Sequence, residues 1–144
     1  MYLQRFRILL IDDNPSDVWL LKEAIRLAQI PVQMTVSRDG IEAIEYLHKV
    51  EKNVADCPDF IVLDLNLPGK NGHEVLAEIK ASSALRHIPV VVLSSSKAEE
   101  DRRNAYELSA CCFVTKPDGL PAYVEMVRGM DRFWLSGLEL RQPA

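Results

Sequence analysis

The sequence predicts an α/β fold of five strand–helix units around a parallel sheet. Three observations carry this. Short, β-branched apolar runs alternate with stretches of helical periodicity. Most of the runs are nearly all apolar, as expected of strands buried on both faces. Polar or charged residues come directly after these runs.

The elements run in order along the chain. Phe6-Arg7-Ile8-Leu9-Leu10-Ile11 is the first run. Pro15 and Ser16 then open a helix with Val18, Leu21, Ala24/Ile25 and Ala28 at helical spacing. Val32-Gln33-Met34-Thr35-Val36 alternates, which places it near a sheet edge. Asp39-Gly40 leads into a helix marked by Ile41, Ile44 and Leu47. An irregular link, 52–58, reaches the third run, Phe60-Ile61-Val62-Leu63. Gly72 precedes the stripe Val75, Leu76, Ile79. Pro89-Val90-Val91-Val92-Leu93 is the fourth run. Residues 98–108 read as a charged helix, its apolar surface chiefly Ala105 and Leu108. Cys112-Phe113-Val114 is the fifth run. Residues 121–135 form a last helix with Val124, Val127, Met130 and Phe133/Trp134. Right-handed crossovers leave few ways to wind five such units. The common one is the flavodoxin-like order 2-1-3-4-5, helices on both faces, with its site at the carboxyl ends of strands 1 and 3. A fold alone carries no function.

A length of 144 residues suits one domain, 1–144. The residues after Lys116 suffice for a helix and a short tail, so no output domain is expected. With 48% apolar and 26% charged residues, disorder is excluded. Lys and Arg number 17 against 21 Asp and Glu, a net charge of −4. That balance offers no field for nucleic acid or an anionic membrane. No apolar run approaches the ~20 residues of a bilayer span, and the start lacks the pattern of a signal peptide. The expected location is cytoplasmic. Cys57, Cys111 and Cys112 are expected as buried small apolar residues in a reducing compartment. His48, His73 and His87 lack metal-ligand spacing.

Asp12 and Asp13 come just after the first run, Asp64 after the third, Ser94-Ser95-Ser96 after the fourth, and Thr115-Lys116-Pro117 after the fifth. A parallel sheet brings all of them to one edge. Taken singly, Asn14 and Asp39 are better explained as loop residues or helix N-caps. Three converging carboxylates are a different matter. Two charges ~5 Å apart repel by about 3 kcal/mol at an effective dielectric near 20. A hard divalent cation relieves this, Mg²⁺ first and Mn²⁺ as a substitute. The chain has no G-x-x-x-x-G-K-[ST], G-x-G-x-x-G or G-x-S-x-G pattern, which argues against a nucleotide site or a serine hydrolase. A carboxylate beside Mg²⁺ and Lys116 makes an aspartyl nucleophile for a phosphoryl group, with Ser94 as a hydrogen-bond donor.

The pieces Ile8-Leu9-Leu10-Ile11-Asp12-Asp13, Asp64-Leu65-Asn66-Leu67-Pro68 with Asn71-Gly72, Pro89 to Ser95, and Phe113-Val114-Thr115-Lys116-Pro117 occur in that order. Together they resemble the receiver domain of two-component response regulators. The resemblance implies that Asp64 is the phosphoacceptor. It implies that Asp12 and Asp13 help hold Mg²⁺, that Asp13 and Asp64 are direct ligands, and that Asn66 gives its backbone carbonyl. Lys116 pairs with the acceptor and later with the phosphoryl group. Ser94 stands at the switch Thr/Ser position, Phe113 at the switch aromatic, and Ser95 at the small residue contacting the phosphoryl group.

Asn71 replaces the usual Asp before the glycine and serves turn geometry equally well. Gly69 is expected to loosen this loop. Phe113 lacks the hydroxyl of the common Tyr and turns inward at a lower desolvation cost. Asp12-Asp13-Asn14-Pro15-Ser16-Asp17, the run ending Leu93-Ser94-Ser95-Ser96, and Phe133-Trp134-Leu135-Ser136 resemble more narrowly the small regulators paired with phytochrome-type histidine kinases.

The resemblance implies phosphoryl transfer from a sensor histidine kinase, then hydrolysis, with no other enzymatic activity. Phosphorylation draws Ser94 inward and lets Phe113 rotate. The surface formed by helix 98–108, the fifth strand and the last helix then changes, and homodimerisation through it is expected. Tyr123, Met126, Met130 and Trp134 form either part of that contact face or core. A phosphorylation-independent adaptor is the rival reading. A Mg²⁺-dependent phosphatase is disfavoured, because Asn66 stands where that chemistry wants a second Asp.

Overall fold

The computed structural model describes residues 6–53, 56–95, 103–104, 107 and 112–130. Five parallel strands form one sheet: β1 (Phe6–Ile11), β2 (Val32–Ser37), β3 (Phe60–Leu63), β4 (Val90–Ser94) and β5 (Cys112–Thr115). Their spatial order is β2-β1-β3-β4-β5, as expected, with β2 at one edge. Four helices are described: α1 (Pro15–Leu27), α2 (Gly40–Val50), α3 (Gly72–Ala81) and α4 (Leu120–Met130). Of the helix predicted over 98–108 only Arg103, Asn104 and Glu107 are described, all helical. Trp134 and Cys111 lie outside the described residues. Among the described residues no helix is long and apolar enough to cross a membrane.

The two-residue period of a strand sorts the core into two layers. Leu9, Ile11, Ile61, Leu63, Val90, Val92 and Phe113 face α2 and α3, where Ala43, Leu47, Val75, Leu76 and Ile79 meet them. Ile8, Leu10, Phe60, Val62, Val91 and Leu93 face α1 and α4, meeting Leu21, Ala24, Tyr123 and Val127. All four residues of β3 are buried. Each such side chain contributes about 1.5–3 kcal/mol. This explains the continuous apolar runs. Tyr123, left open between contact face and core, belongs to the core at 1% exposure. Met126 and Met130 are half-buried against the same layer. Cys57 and Cys112 are half-buried rather than buried.

Helix starts are set by side-chain caps. Asn14 Oδ1 accepts from the N–H groups of Ser16 and Asp17 at 2.9 and 3.2 Å, so the cap of α1 is Asn14, one residue before the predicted start. Asp39 caps α2 through the Glu42 N–H at 2.7 Å, and Asn71 caps α3 through the Glu74 N–H at 3.0 Å.

The loop from Asp64 to α3 is tighter than its glycine suggests. Leu65 and Leu67 are buried in the core, and the Gly72 N–H donates to the Leu65 carbonyl at 3.0 Å. Gly69 has φ of +71°, so it supplies a left-handed turn rather than slack. At Gly72 a Cβ would stand 2.4 Å from Leu65 Cα and 2.5 Å from the Asp64 carbonyl oxygen. A glycine there lets α3 start directly against the residue after Asp64.

Candidate functional site

Strand register brings the predicted residues together. Ile11 pairs with Leu63, so the next residues, Asp12 and Asp64, emerge side by side. The Asp64 N–H donates to the Ile11 carbonyl at 2.9 Å, and the Asp12 N–H to the Ser37 carbonyl at 3.0 Å. Ser94 pairs with Thr115, which sets Lys116 one step beyond the end of β4. The Lys116 N–H is fixed on the Ser94 carbonyl at 2.8 Å.

The two buried carboxylates are held alike. Asp12 Oδ1 accepts the Asn14 N–H at 2.9 Å, and Asp64 Oδ1 accepts the Asn66 N–H at 3.0 Å. In each case the donor is the backbone two residues on. The other oxygens face one ammonium: Lys116 Nζ lies 2.8 Å from Asp64 Oδ2 and 3.0 Å from Asp12 Oδ2. Its third partner is Asp17 Oδ2 at 2.7 Å. Burial works to lower the Lys116 pKa, but hydrogen bonds to Asp17, Asp64 and Asp12 outweigh it and raise the value. Burial raises the Asp12 pKa despite hydrogen bonds from Asn14 and Lys116. Ionised Asp12 is therefore costly in this pocket, and a further cation would offset that cost.

Asp13 is exposed and completes the acidic set. Ligand oxygens of Asp12, Asp13 and Asp64 lie within 4.8 Å of one another. Three hard oxygen donors, two of them buried beside a single lysine, fit a divalent cation. A hollow of about 250 Å³ opens beside them, lined by Asp12, Asp13, Pro15, Trp19, Lys22 and Arg38.

Ser94 is fully buried at the end of β4 and Ser95 is exposed next to it. The Ser94 Oγ accepts from Asn66 Nδ2 at 3.4 Å. Phe113 is 6% exposed and packs inward with Leu63 and Val92 in the α2–α3 layer. The structure thus brings Asp12, Asp13, Asp64 and Lys116 into one cluster and sets Ser94, through Asn66, at its margin.

Sequence reasoning assigns no role to Asp17 and gives the Asn66 side chain no hydroxyl partner. The signal for Asp17 is its place in the first turn of α1, directly above the end of β1. There an acidic residue both suits the helix dipole and reaches the site. A second hollow, about 310 Å³, is lined by Arg7, Gln33, Tyr46 and Lys49 among others, and contains no member of the acidic cluster.

The profile of the response regulator receiver domain matches residues 8–128. Response regulator Rcp1 of Synechocystis sp. is 41% identical over 134 residues, covering 92% of this chain and 91% of that protein. The phosphorylated cyanobacterial phytochrome response regulator RcpA superposes with a TM-score of 0.82 at 43% identity, covering 93% of this chain and 96% of its own. The Mn²⁺-bound form of Rcp1 gives a TM-score of 0.82 at 39% identity, with 96% and 99% covered. The bacteriophytochrome response regulator AtBRR gives 0.72 at 38% identity, with 91% and 96% covered.

Proposed function

The chain belongs to the response regulator receiver domain family, and on that premise we propose that it is a phosphoacceptor switched by a phytochrome-type histidine kinase through Asp64. One observation carries this reading: Asp64 is buried, with one oxygen on Lys116 and the other on a backbone N–H, beside two further carboxylates. The similarity to RcpA and AtBRR, both phytochrome response regulators, supports the choice of kinase.

In the proposed transfer an Asp64 carboxylate oxygen forms a bond to phosphorus as the P–N bond of a phosphohistidine breaks. The histidine ring keeps the electron pair of that bond. Lys116 balances charge on the acceptor and then on the phosphoryl oxygens. Asp12, Asp13, Asp64 and the Asn66 carbonyl would hold Mg²⁺ or, as in the Mn²⁺-bound relative, Mn²⁺. Such an ion neutralises phosphoryl oxygens when bound. Ser94 leaves its weak contact with Asn66 to donate to the phosphoryl group, and Ser95 borders it. Phe113, expected to rotate inward on phosphorylation, is already inward at 6% exposure, so as the switch aromatic it repacks within the core as Ser94 moves.

Output then passes through the surface made by residues 98–108, β5 and the last helix, as homodimerisation or partner binding. The 144 residues act as one receiver domain in the cytoplasm.

The test is radiolabel transfer from an autophosphorylated phytochrome-type kinase. Label should appear on the wild type in the presence of Mg²⁺ and not on Asp64→Asn. Equal labelling of both proteins would place the acceptor elsewhere.

A further inference from the structure

The proposed transfer leaves Asp17 without a role, although it makes the shortest of the three contacts to Lys116: 2.7 Å, against 2.8 Å for Asp64 and 3.0 Å for Asp12. An ammonium has three N–H donors, so this set uses them all. A phosphoryl group on Asp64 replaces a carboxylate by a neutral acyl oxygen and several charged phosphoryl oxygens, and an ammonium that turns to those oxygens loosens its other contacts. Asp12 and Asp64 belong to the carboxylate cluster. Asp17 stands outside it on α1, with 23% of its side chain exposed. Water can reach Asp17 more readily than the other two, so its contact is the least costly to give up.

A separate observation lies on α4. Tyr123 is 1% exposed, and its hydroxyl has no hydrogen-bond partner among the described residues. A buried hydroxyl in that position is a standing cost to the fold. Burial first, and then the charge of Asp17, push its pKa up to about 12, so Asp17 is the acid that acts on it most strongly. α1 and α4 pack side by side on the same face of the sheet.

We propose that Asp17 is a positioning residue that parks the Lys116 ammonium in the resting state, and that the Tyr123 hydroxyl donates to Asp17 once the ammonium turns to the phosphoryl group. Only hydrogen bonds are exchanged, and no proton is transferred. The exchange gives the last helix a contact made in one state alone, through a side chain of the core. It rests on Asp64 being the acceptor.

Two measurements on the full chain test it. The first needs no phosphorylation. The ¹⁵N-labelled Lys116 ammonium should give a slowly exchanging proton signal in the wild type, and Asp17→Asn should broaden or remove it. An unchanged signal overturns the parking role. The second is thermal unfolding with and without beryllofluoride and Mg²⁺, a phosphoryl mimic. Tyr123→Phe should leave the resting Tm equal or higher, and should cut the gain on loading by about 5 °C, the size of one charged hydrogen bond in a domain like this. In an Asp17→Ala background, which leaves no acceptor at that position, the same change should cut nothing further. A Tyr123→Phe loss equal in both states, or one that persists without Asp17, overturns the exchange. A wild type that gains nothing from beryllofluoride overturns the acceptor reading and the exchange together, while the ammonium signal decides the role of Asp17 independently.

Discussion

Lys116 Nζ lies 2.8 Å from Asp64 Oδ2, across 52 residues of sequence. The pair is almost fully buried, with side chains 8% and 4% exposed. Removing one partner of a buried pair costs far more than the pair contributes, because the remaining charge has no counter-ion. Lys116→Met should lose about 3 kcal/mol at pH 7. An acid whose folded pKa is raised costs stability as pH rises from its unfolded value through its folded value. Asp12 is already raised above 3.8, and loss of Lys116 raises it further. The deficit should therefore shrink as pH falls toward 4. Urea denaturation of both proteins at pH 4.5 and pH 7 checks this.

Asp13 is the exposed member of the acidic cluster, so it can be neutralised without burying an unpaired charge. Asp13→Asn should keep its stability within about 0.5 kcal/mol and weaken Mn²⁺ binding at least about tenfold. Trp19 lines the hollow beside Asp12 and Asp13, so quenching of its fluorescence should report the ion. Trp19→Phe serves as the control. Equal Mn²⁺ titrations for wild type and Asp13→Asn would remove Asp13 from the ligand set.

Gly72 is fixed by close approach. A methyl group there would stand 2.4 Å from Leu65 Cα. Gly72→Ala should cost about 1–3 kcal/mol and displace the backbone that carries Asp64 and Asn66. The expected readouts are a lower Tm and slower phosphorylation. A variant with wild-type values in both would contradict the described packing.

Gln29, the residue after the Ala28 C-cap of α1, has φ of +59°, a left-handed conformation that costs a residue with a Cβ. Gln29→Gly should stabilise the chain by about 0.5–1 kcal/mol. Denaturation midpoints give the answer directly, and a loss of stability would contradict the assigned turn.

The strands were legible because β1, β3 and β4 are buried on both faces apart from Arg7, and the sequence of β2 alternates. The position of β2 at the sheet edge agrees with that pattern. β5, at the other edge, is half-buried apart from Phe113 and stood out only as a short apolar run. The carboxylate cluster was legible because residues just past buried parallel strands must share one edge. Asp17 was hidden because it belongs to a helix turn, and only the docking of α1 decides that its side chain reaches Lys116. Tyr123 recurs with Val127 at a spacing of four, which marks the buried stripe of α4. Its hydroxyl makes it look like surface, and only tertiary packing resolves that. Gly69 in sequence suggests freedom, whereas the burial of Leu65 and Leu67 holds the loop.

Intact mass after incubation with acetyl phosphate and Mg²⁺ tests the central claim most directly. The wild type should gain one phosphoryl group and lose it over time in buffer free of chelator, and Asp64→Asn should gain none. A wild type that takes no phosphoryl group from acetyl phosphate or from a second small donor would contradict the account. The chain would then be a phosphorylation-independent adaptor on a receiver fold.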